Sequence, residues 1–457
     1  MAIGAPGDTP TTPTDGDHVT DPPAPTRYAW YALFVLLLVN IFCYVDRLVI
    51  GGVLRQLEVE FRFSETAQGA LATAFIAVYA VAAIPFGRLS DLWVRRSVIA
   101  MGLAACGLFT MAGALSRSYG ELLLSRALVG IGEALCLPSA VALISDLFPG
   151  VQRVRAMAIF ASGMLLGSGL GIAAGGLIGH HLGWRYAFLL TGAPALLVAG
   201  MAWCLREPEK GSFEEVTGAA AAQAPPLRVL LRIPTFWAIC AGITLLTGAI
   251  GAVMHWGPKF LEVARELTQQ QAGVTAGAIA VGGSLLGVLL SAWAGPRLAA
   301  VTDLAMVLII AAGLILATPA FLLFVVSDHH SLHLAALGAA AFFLSWPLAP
   351  MGALLHSLVE PKLRATAVAV FVLITHLAGD AVSPPLVGAL SDALRAMGLP
   401  PAQALQRAMM VLPALCLVGG LVCLLGVRTV RGDMAAMKQR LTEASRAAAA
   451  KAQSGQP

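Results

Sequence analysis

The chain has 457 residues, of which 58% are hydrophobic and only 12% charged. Its mean hydropathy is +0.81. A water-soluble protein of this length needs far more polar surface, and a net charge of +4 gives no basis for binding nucleic acid. The apolar stretches are long continuous runs rather than short alternating segments, which predicts helices and not a barrel. The expected class is an all-α polytopic membrane protein.

Residues 1–26 are rich in Pro, Gly, Thr and Asp and lack an apolar core, so they read as a disordered tail rather than a signal peptide. Twelve candidate spans follow. The first half holds spans at about 28–45, 67–86, 98–115, 119–147, 157–180 and 184–205. A short amphipathic piece at 49–63 suits the membrane interface, and Ser64 is placed to cap the second span, with Glu65 at its positive end. Residues 206–232 form the longest polar gap and read as a cytoplasmic linker. The second half holds spans at about 235–260, 272–294, 304–326, 332–358, 366–390 and 404–427. The expected divisions are a six-helix bundle at 27–205, a second at 233–428, and a basic, Ala-rich tail at 429–457.

A weak internal repeat supports two halves. Arg155-Ala-Met-Ala matches Arg364-Ala-Thr-Ala 209 residues later, and Gly87 corresponds to Gly295 at an offset of 208. With the N-terminus inside, the inner loops and both tails carry 19 of the 29 Lys and Arg residues, a positive-inside bias that places both termini in the cytoplasm. A bacterial inner membrane is the expected location, with an organellar membrane as the alternative. The seven cysteines all fall in apolar segments without a Cys-x-x-Cys, and read as small buried hydrophobes. Phosphate-loop, His-Glu-x-x-His and nucleophile-elbow patterns are missing, and no segment is large enough for an ATPase. No cofactor and no metal are expected.

Costly charges punctuate the spans. Arg126 and Glu133 lie seven residues apart in the fourth span, close to two helical turns and so on one face. Gly130 and Gly132 between them allow another backbone to approach. Charges at membrane depth usually mark a substrate path or proton relay, although a structural ion pair is the plainer alternative. Asp46 and Arg47 end the first span, and adjacent helical residues diverge by about 100°, so they need not pair with each other.

The loop between the second and third spans reads Gly87-Arg-Leu-Ser-Asp91-Leu-Trp-Val-Arg95-Arg96. It resembles the signature loop of the major facilitator superfamily, with Leu92 where a basic residue is usual and Val94 where glycine is usual. In that setting Gly87, Asp91, Arg95 and Arg96 act in conformational gating; a plain basic turn is the alternative. Three further stretches resemble one family of that superfamily, the Spinster family, in a bacterial form. They are Asn40-Ile-Phe-Cys-Tyr44-Val-Asp46-Arg47, Arg126-Ala-Leu-Val-Gly-Ile-Gly-Glu133-Ala134, and His376-Leu-Ala-Gly379-Asp380 with Gly388-Ala-Leu-Ser-Asp392 after it.

The resemblance implies a twelve-helix, two-bundle secondary transporter, not an enzyme. The implied substrate is a lysophospholipid, sphingosine-1-phosphate or a related lipid, often linked to protons. It further implies proton sites at Asp46 and Glu133, and substrate or phosphate binding at Arg126 and Arg47. His376 and Asp380, one turn apart, suit a relay or a headgroup site, or equally a satisfied pair holding the Gly379 bend. Pro384-Pro385 must break this helix. His255 is a candidate for the cavity wall, with a packed interfacial histidine as the alternative. Trp346, beside Pro347, is a candidate wall for an acyl chain, or a core aromatic at a kink. His329, His330 and His333 read as a solvated cluster, and Trp184-Arg185-Tyr186-Ala187-Phe188 as an interfacial anchor. The partners expected are an amphiphilic substrate, protons and membrane lipids around a monomer, with no nucleic acid. A drug–proton antiporter or organic-anion symporter, and more distantly a lipid receptor or intramembrane hydrolase, are the alternatives.

Overall fold

The computed structural model describes residues 26–208, 227–360 and 363–453. The greater part of the N-terminal tail (1–25) and of the linker (209–226) lies outside the described residues. Twelve spans cross a membrane's thickness by length and composition. In the first half they are α1 (Arg27–Leu48), α3 (Glu65–Leu92), α4 (Arg95–Ala114), α5 (Tyr119–Leu147), α6 (Gly150–Leu182) and α7 (Trp184–Trp203), with the short α2 (Leu54–Phe61) after α1. In the second half, α8 (Pro234–Ala264), α9 (Gln269–Ala299) and α10 (Ala305–Val326) are single helices. The last three spans are each built of two pieces: α11 (His330–Leu344) with α12 (Leu348–Leu358), α13 (Arg364–Thr375) with α14 (Ser383–Ala396), and α15 (Pro401–Ala408) with α16 (Val411–Gln453).

Local chemistry sets these ends. The Ser64 hydroxyl accepts from Ala67 N at 3.2 Å, the expected cap of α3. Thr268 and Gln271 form a reciprocal capping box at the start of α9. Gly183 takes φ 92° between α6 and α7, a conformation that favours glycine. Pro347 separates α11 from α12. In the eleventh span the break comes earlier than the proline pair alone predicts. His376–Asp380 form a π-turn, and Pro384 and Pro385 then open α14, where missing N–H groups cost least.

Three expectations are refined. The C-terminal segment read as a tail continues α16 as helix to Gln453, because its alanine-rich sequence has high helix propensity and no proline. Asp433 on this extension accepts from Thr235 N at 2.9 Å, tying it to the start of α8. Six of the cysteines are buried as expected, but Cys204 is exposed just past α7. The piece after α1 also packs more deeply than an interfacial helix would: Val53, Leu54 and Leu57 are buried with Trp184 and Phe188. On the surface of this piece, the Arg185 guanidinium holds the Glu60 carboxyl below the usual carboxylate range, with a bond from the Trp184 indole.

Each half has its own apolar core. The halves meet where small residues let backbones touch. Gly69 abuts the Pro384 backbone, Gly388 abuts Glu65, and Gly51 abuts Met254. Gly176 and Gly273 face each other between α6 and α9, so that a Cβ on either would lie 2.7 Å from the other's Cα. With an even number of spans both chain ends lie at one face, and these approaches lie toward the opposite, far end. Replacing Gly273 with valine should therefore overpack the α6–α9 seam, at a cost of about 1–3 kcal/mol. A lower melting temperature in detergent is expected, and an unchanged one would show that the seam can give way.

Candidate functional site

The last turns of α1 deliver Tyr44, Asp46 and Arg47 to the middle of the molecule, and the 100° step between neighbours separates the two charges. Asp46 turns into the first half, where it is 0% exposed and neither carboxylate oxygen has a hydrogen-bond partner among the described residues. Arg47 turns to the boundary between halves. Its guanidinium carbon lies 4.9 Å from the Phe75 ring centroid and 5.7 Å from that of Tyr44, a cation–π cradle.

Arg126 and Glu133 of α5 engage different partners. Arg126 donates to the Asp46 backbone carbonyl at 3.1 Å and stacks 4.7 Å from the Phe188 ring. Its Nε and Nη2 have no hydrogen-bond partner among the described residues. Glu133, 1% exposed, sits 3.7 Å from Arg47 Nη1. From its other nitrogen Arg47 donates to Asp380 Oδ2 at 2.7 Å, across the boundary between halves. His376 Nδ1 approaches the same oxygen at 3.5 Å, and its side chain is 37% exposed. One arginine thus joins a carboxylate of each half.

A cavity of about 300 Å³ lies over this group. One pole carries Arg47, Arg126, His255, His376 and Asp380. The rest of the wall is largely apolar, with hydroxyls such as Thr247, Ser284 and Thr375, and reaches into the second half through Ile243, Leu246, Phe321, Leu337, Leu344 and Met351. His255 is buried in this wall, and its Nε2 has no hydrogen-bond partner among the described residues. Asp46 and Glu133 stand behind the wall, next to Arg126 and Arg47. Trp346 is not part of it. The proline break turns its ring against Phe342 and Phe343, at 5.7 and 5.2 Å, while its neighbours Ser345 and Leu348 line the cavity. Of the histidine cluster, His329 and His330 are exposed but His333 is buried, and no three ligating side chains gather among the described residues.

At the end bearing the chain termini, the Arg95 guanidinium pairs with Asp146 of α5 and donates to Ala142 O at 3.3 Å. The backbone N–H groups of Arg95 and Arg96 donate to the two oxygens of Glu207, at 2.8 and 3.0 Å, which caps α4. The Asp91 side chain and the surroundings of Gly87 lie outside what the structure describes.

Sequence reading missed Asp146 and Glu207, and it missed a whole cluster at the far end. There Lys259 of α8 donates to Glu65 Oε1 and Gln68 Oε1, each at 2.9 Å, and pairs with Glu58 Oε2 at 2.7 Å. Arg395 of α14 lies 3.4 Å from Glu58 and 3.8 Å from Glu65. Asp392 accepts from the N–H groups of Glu65 and Thr66 and from the Thr66 hydroxyl. Lys259 carried a usable signal, being a lone cation inside an apolar span.

The model of the Major Facilitator Superfamily matches residues 36–327. Protein spinster of Drosophila melanogaster is 32% identical over 381 residues, covering 80% of this chain and 63% of that protein. Protein spinster homolog 1 of Rattus norvegicus is 31% identical over 390 residues, covering 79% of this chain and 72% of its own. The chain belongs to the Spinster family of the major facilitator superfamily. Among solved structures, a bacterial homologue of the human lysosomal transporter Spinster, in an inward-facing and occupied conformation, superposes with a TM-score of 0.78 at 25% identity. The match covers 90% of this chain and 99% of that one. The nucleoside transporter NupG shares the fold, with a TM-score of 0.68 at 13% identity over 87% of this chain. The expected fold, a major facilitator arrangement of two six-helix bundles, is the one found, and the chain is a Spinster-type membrane transporter of a small-molecule substrate.

Within this transporter the Arg47 bridge makes a specific prediction. Arg47→Gln leaves Glu133 and Asp380 facing a neutral group, and removing one partner of a largely buried pair is strongly destabilising, by up to about 3–5 kcal/mol. Adding Asp380→Asn relieves part of that penalty. A double-mutant cycle on thermal stability should therefore be non-additive. Simple additivity would mean that the bridge is energetically idle.

Proposed function

We propose that this Spinster-family protein is a proton-coupled transporter of an anionic amphiphile, a lysophospholipid or a sphingosine-1-phosphate-like lipid, working by alternating access in a bacterial inner membrane. The observation that carries this reading is the two-poled cavity. Two arginines and two histidines gather at one pole, suited to a phosphate, and an apolar lobe enters the second half, suited to a chain. A small hydrophilic anion would gain nothing from that lobe, and a cationic drug would meet like charge at Arg47 and Arg126.

Proton coupling is supported by charge bookkeeping. Three carboxylates, Asp46, Glu133 and Asp380, face two guanidinium groups, Arg47 and Arg126, in a largely buried setting. Burying an uncompensated charge is costly, so one proton on a carboxylate or on His376 balances the group. An arriving phosphate adds negative charge and draws the arginines, which changes what protonation the carboxylates need. Arg126, with two unpartnered nitrogen positions, and Arg47 and His376 at the wall take the headgroup; Asp46 and Glu133 behind them exchange the proton. His255 and Asp380 complete the pole.

The loop charges support a cytoplasmic location for both termini. In that frame the far end, where the halves are locked together, faces outward. Gly87, Asp91, Arg95 and Arg96 act at the opposite, cytoplasmic end. Alternating access then requires the far-end contacts to part as the cytoplasmic end closes.

The decisive assay is flux of lysophosphatidylglycerol in proteoliposomes under an imposed pH gradient. Glu133→Gln should abolish gradient-driven accumulation while leaving exchange without a gradient measurable. Wild-type gradient dependence in that variant removes Glu133 as the coupling group. A thermal-shift panel checks the substrate class: lysolipids with a phosphate should stabilise the protein. If only small carboxylates or cationic drugs do so, the lipid assignment fails.

A further inference from the structure

We infer that Lys259, with Arg395, is a second binding site for the anionic headgroup, masked in this conformation by the ion pairs that lock the far end. The inference rests on the anionic-amphiphile reading above. Lys259 is 2% exposed, and its three acceptors, Glu58, Glu65 and Gln68, all belong to the first half, whereas Lys259 belongs to the second. Arg395, also of the second half, faces the same Glu58 and Glu65. Every partner of the ammonium group therefore departs when the halves separate at this end. An ammonium group left without partners in a poorly hydrated place is costly, so it recruits water or an anion. Trp256, whose ring lies 5.2 Å from Lys259 Nζ, is fixed by its bond to Pro384 O at 2.9 Å and keeps the ammonium on this face.

Position along the helix gives the site its purpose. His255 lines the cavity, and Lys259 follows four residues later on the same face of α8, about 6 Å further toward the far end. A phosphate leaving Arg126 and Arg47 thus meets His255, then Lys259 and Arg395, in one direction. Glu262, one turn beyond, lies in a separate shallow groove with Arg55 and Gln269. The same cations serve both states: they hold the far end shut when it is empty, and they take the headgroup when it is open. Substrate and lock carboxylates compete for one ammonium, which links headgroup arrival to opening.

Two variants separate the roles. Glu58→Gln with Glu65→Gln breaks the lock but keeps both cations; adding Lys259→Gln removes one cation as well. Nitroxides at Val59→Cys and Met397→Cys, both exposed and one on each half, report far-end separation in a Cys204→Ser background. The double glutamine variant should populate a longer distance than wild type, and an unchanged distribution overturns the lock. Binding of lysophosphatidylglycerol to that variant should then weaken about tenfold on adding Lys259→Gln, the loss of one charge-assisted bond, while a monoacylglycerol of the same chain length is unaffected. Equal binding with and without Lys259, or equal loss for both lipids, overturns the headgroup site. If wild-type protein binds lysophosphatidylglycerol no better than the monoacylglycerol, the proposed function itself fails and the headgroup site falls with it; the distance measurement still decides the lock.

Discussion

The Arg47 guanidinium is the constraint on which the middle of this transporter depends. It lies between Glu133 of its own half and Asp380 of the other, and among the described residues no second cation pairs with both. A planar fork with separated donors suits such a bridge in a way that a point-charge lysine does not. Its partner Asp380 closes the π-turn at His376–Asp380 that interrupts the eleventh span, and His376 of the same turn approaches the same carboxylate. The bridge also lies on the cavity wall, so whatever enters the cavity competes directly with an interaction that holds the halves in register.

Two kinds of contact close the far end, and they respond differently to change. Glycine seams set how near the backbones come, through van der Waals packing that has no long-range component. The Lys259–Glu65 cluster adds electrostatics in a buried setting, where partners matter more than at a surface. Asp392, accepting from the first N–H groups of α3, adds the favourable field of a helix N-terminus. Shape thus permits the close approach, and charge adds a dependence on the ion pairs of Lys259 and Arg395.

The cavity is asymmetric because the halves contribute different chemistry. The first half supplies Arg47 and Arg126, backed by Asp46 and Glu133. The second adds His255, His376 and Asp380 to the same pole and supplies much of the apolar wall, beside breaks at Trp346-Pro347 and at the π-turn. Broken helices are tolerated at membrane depth where they line a cavity, and both breaks lie beside this one.

Hydrophobic runs, caps and loop charges are local properties, and the sequence alone was enough to place twelve spans, the Ser64 cap and the charges that membrane burial makes costly. Seven-residue spacing put Arg126 and Glu133 on one face of α5. It could not show that Arg126 turns to Asp46 while Glu133 turns to Arg47, because that depends on how α1 crosses α5. Trp346 beside a proline read first as a core aromatic and second as a cavity wall, and the rotation at the break gives the core. Lys259, Glu58, Glu65 and Arg395 are scattered over more than three hundred residues, and their charges have no meaning until α2, α3, α8 and α14 meet. Burial and helix formation are decided within a turn or two of chain; which charge neutralises which is decided only when distant helices share one low-dielectric space.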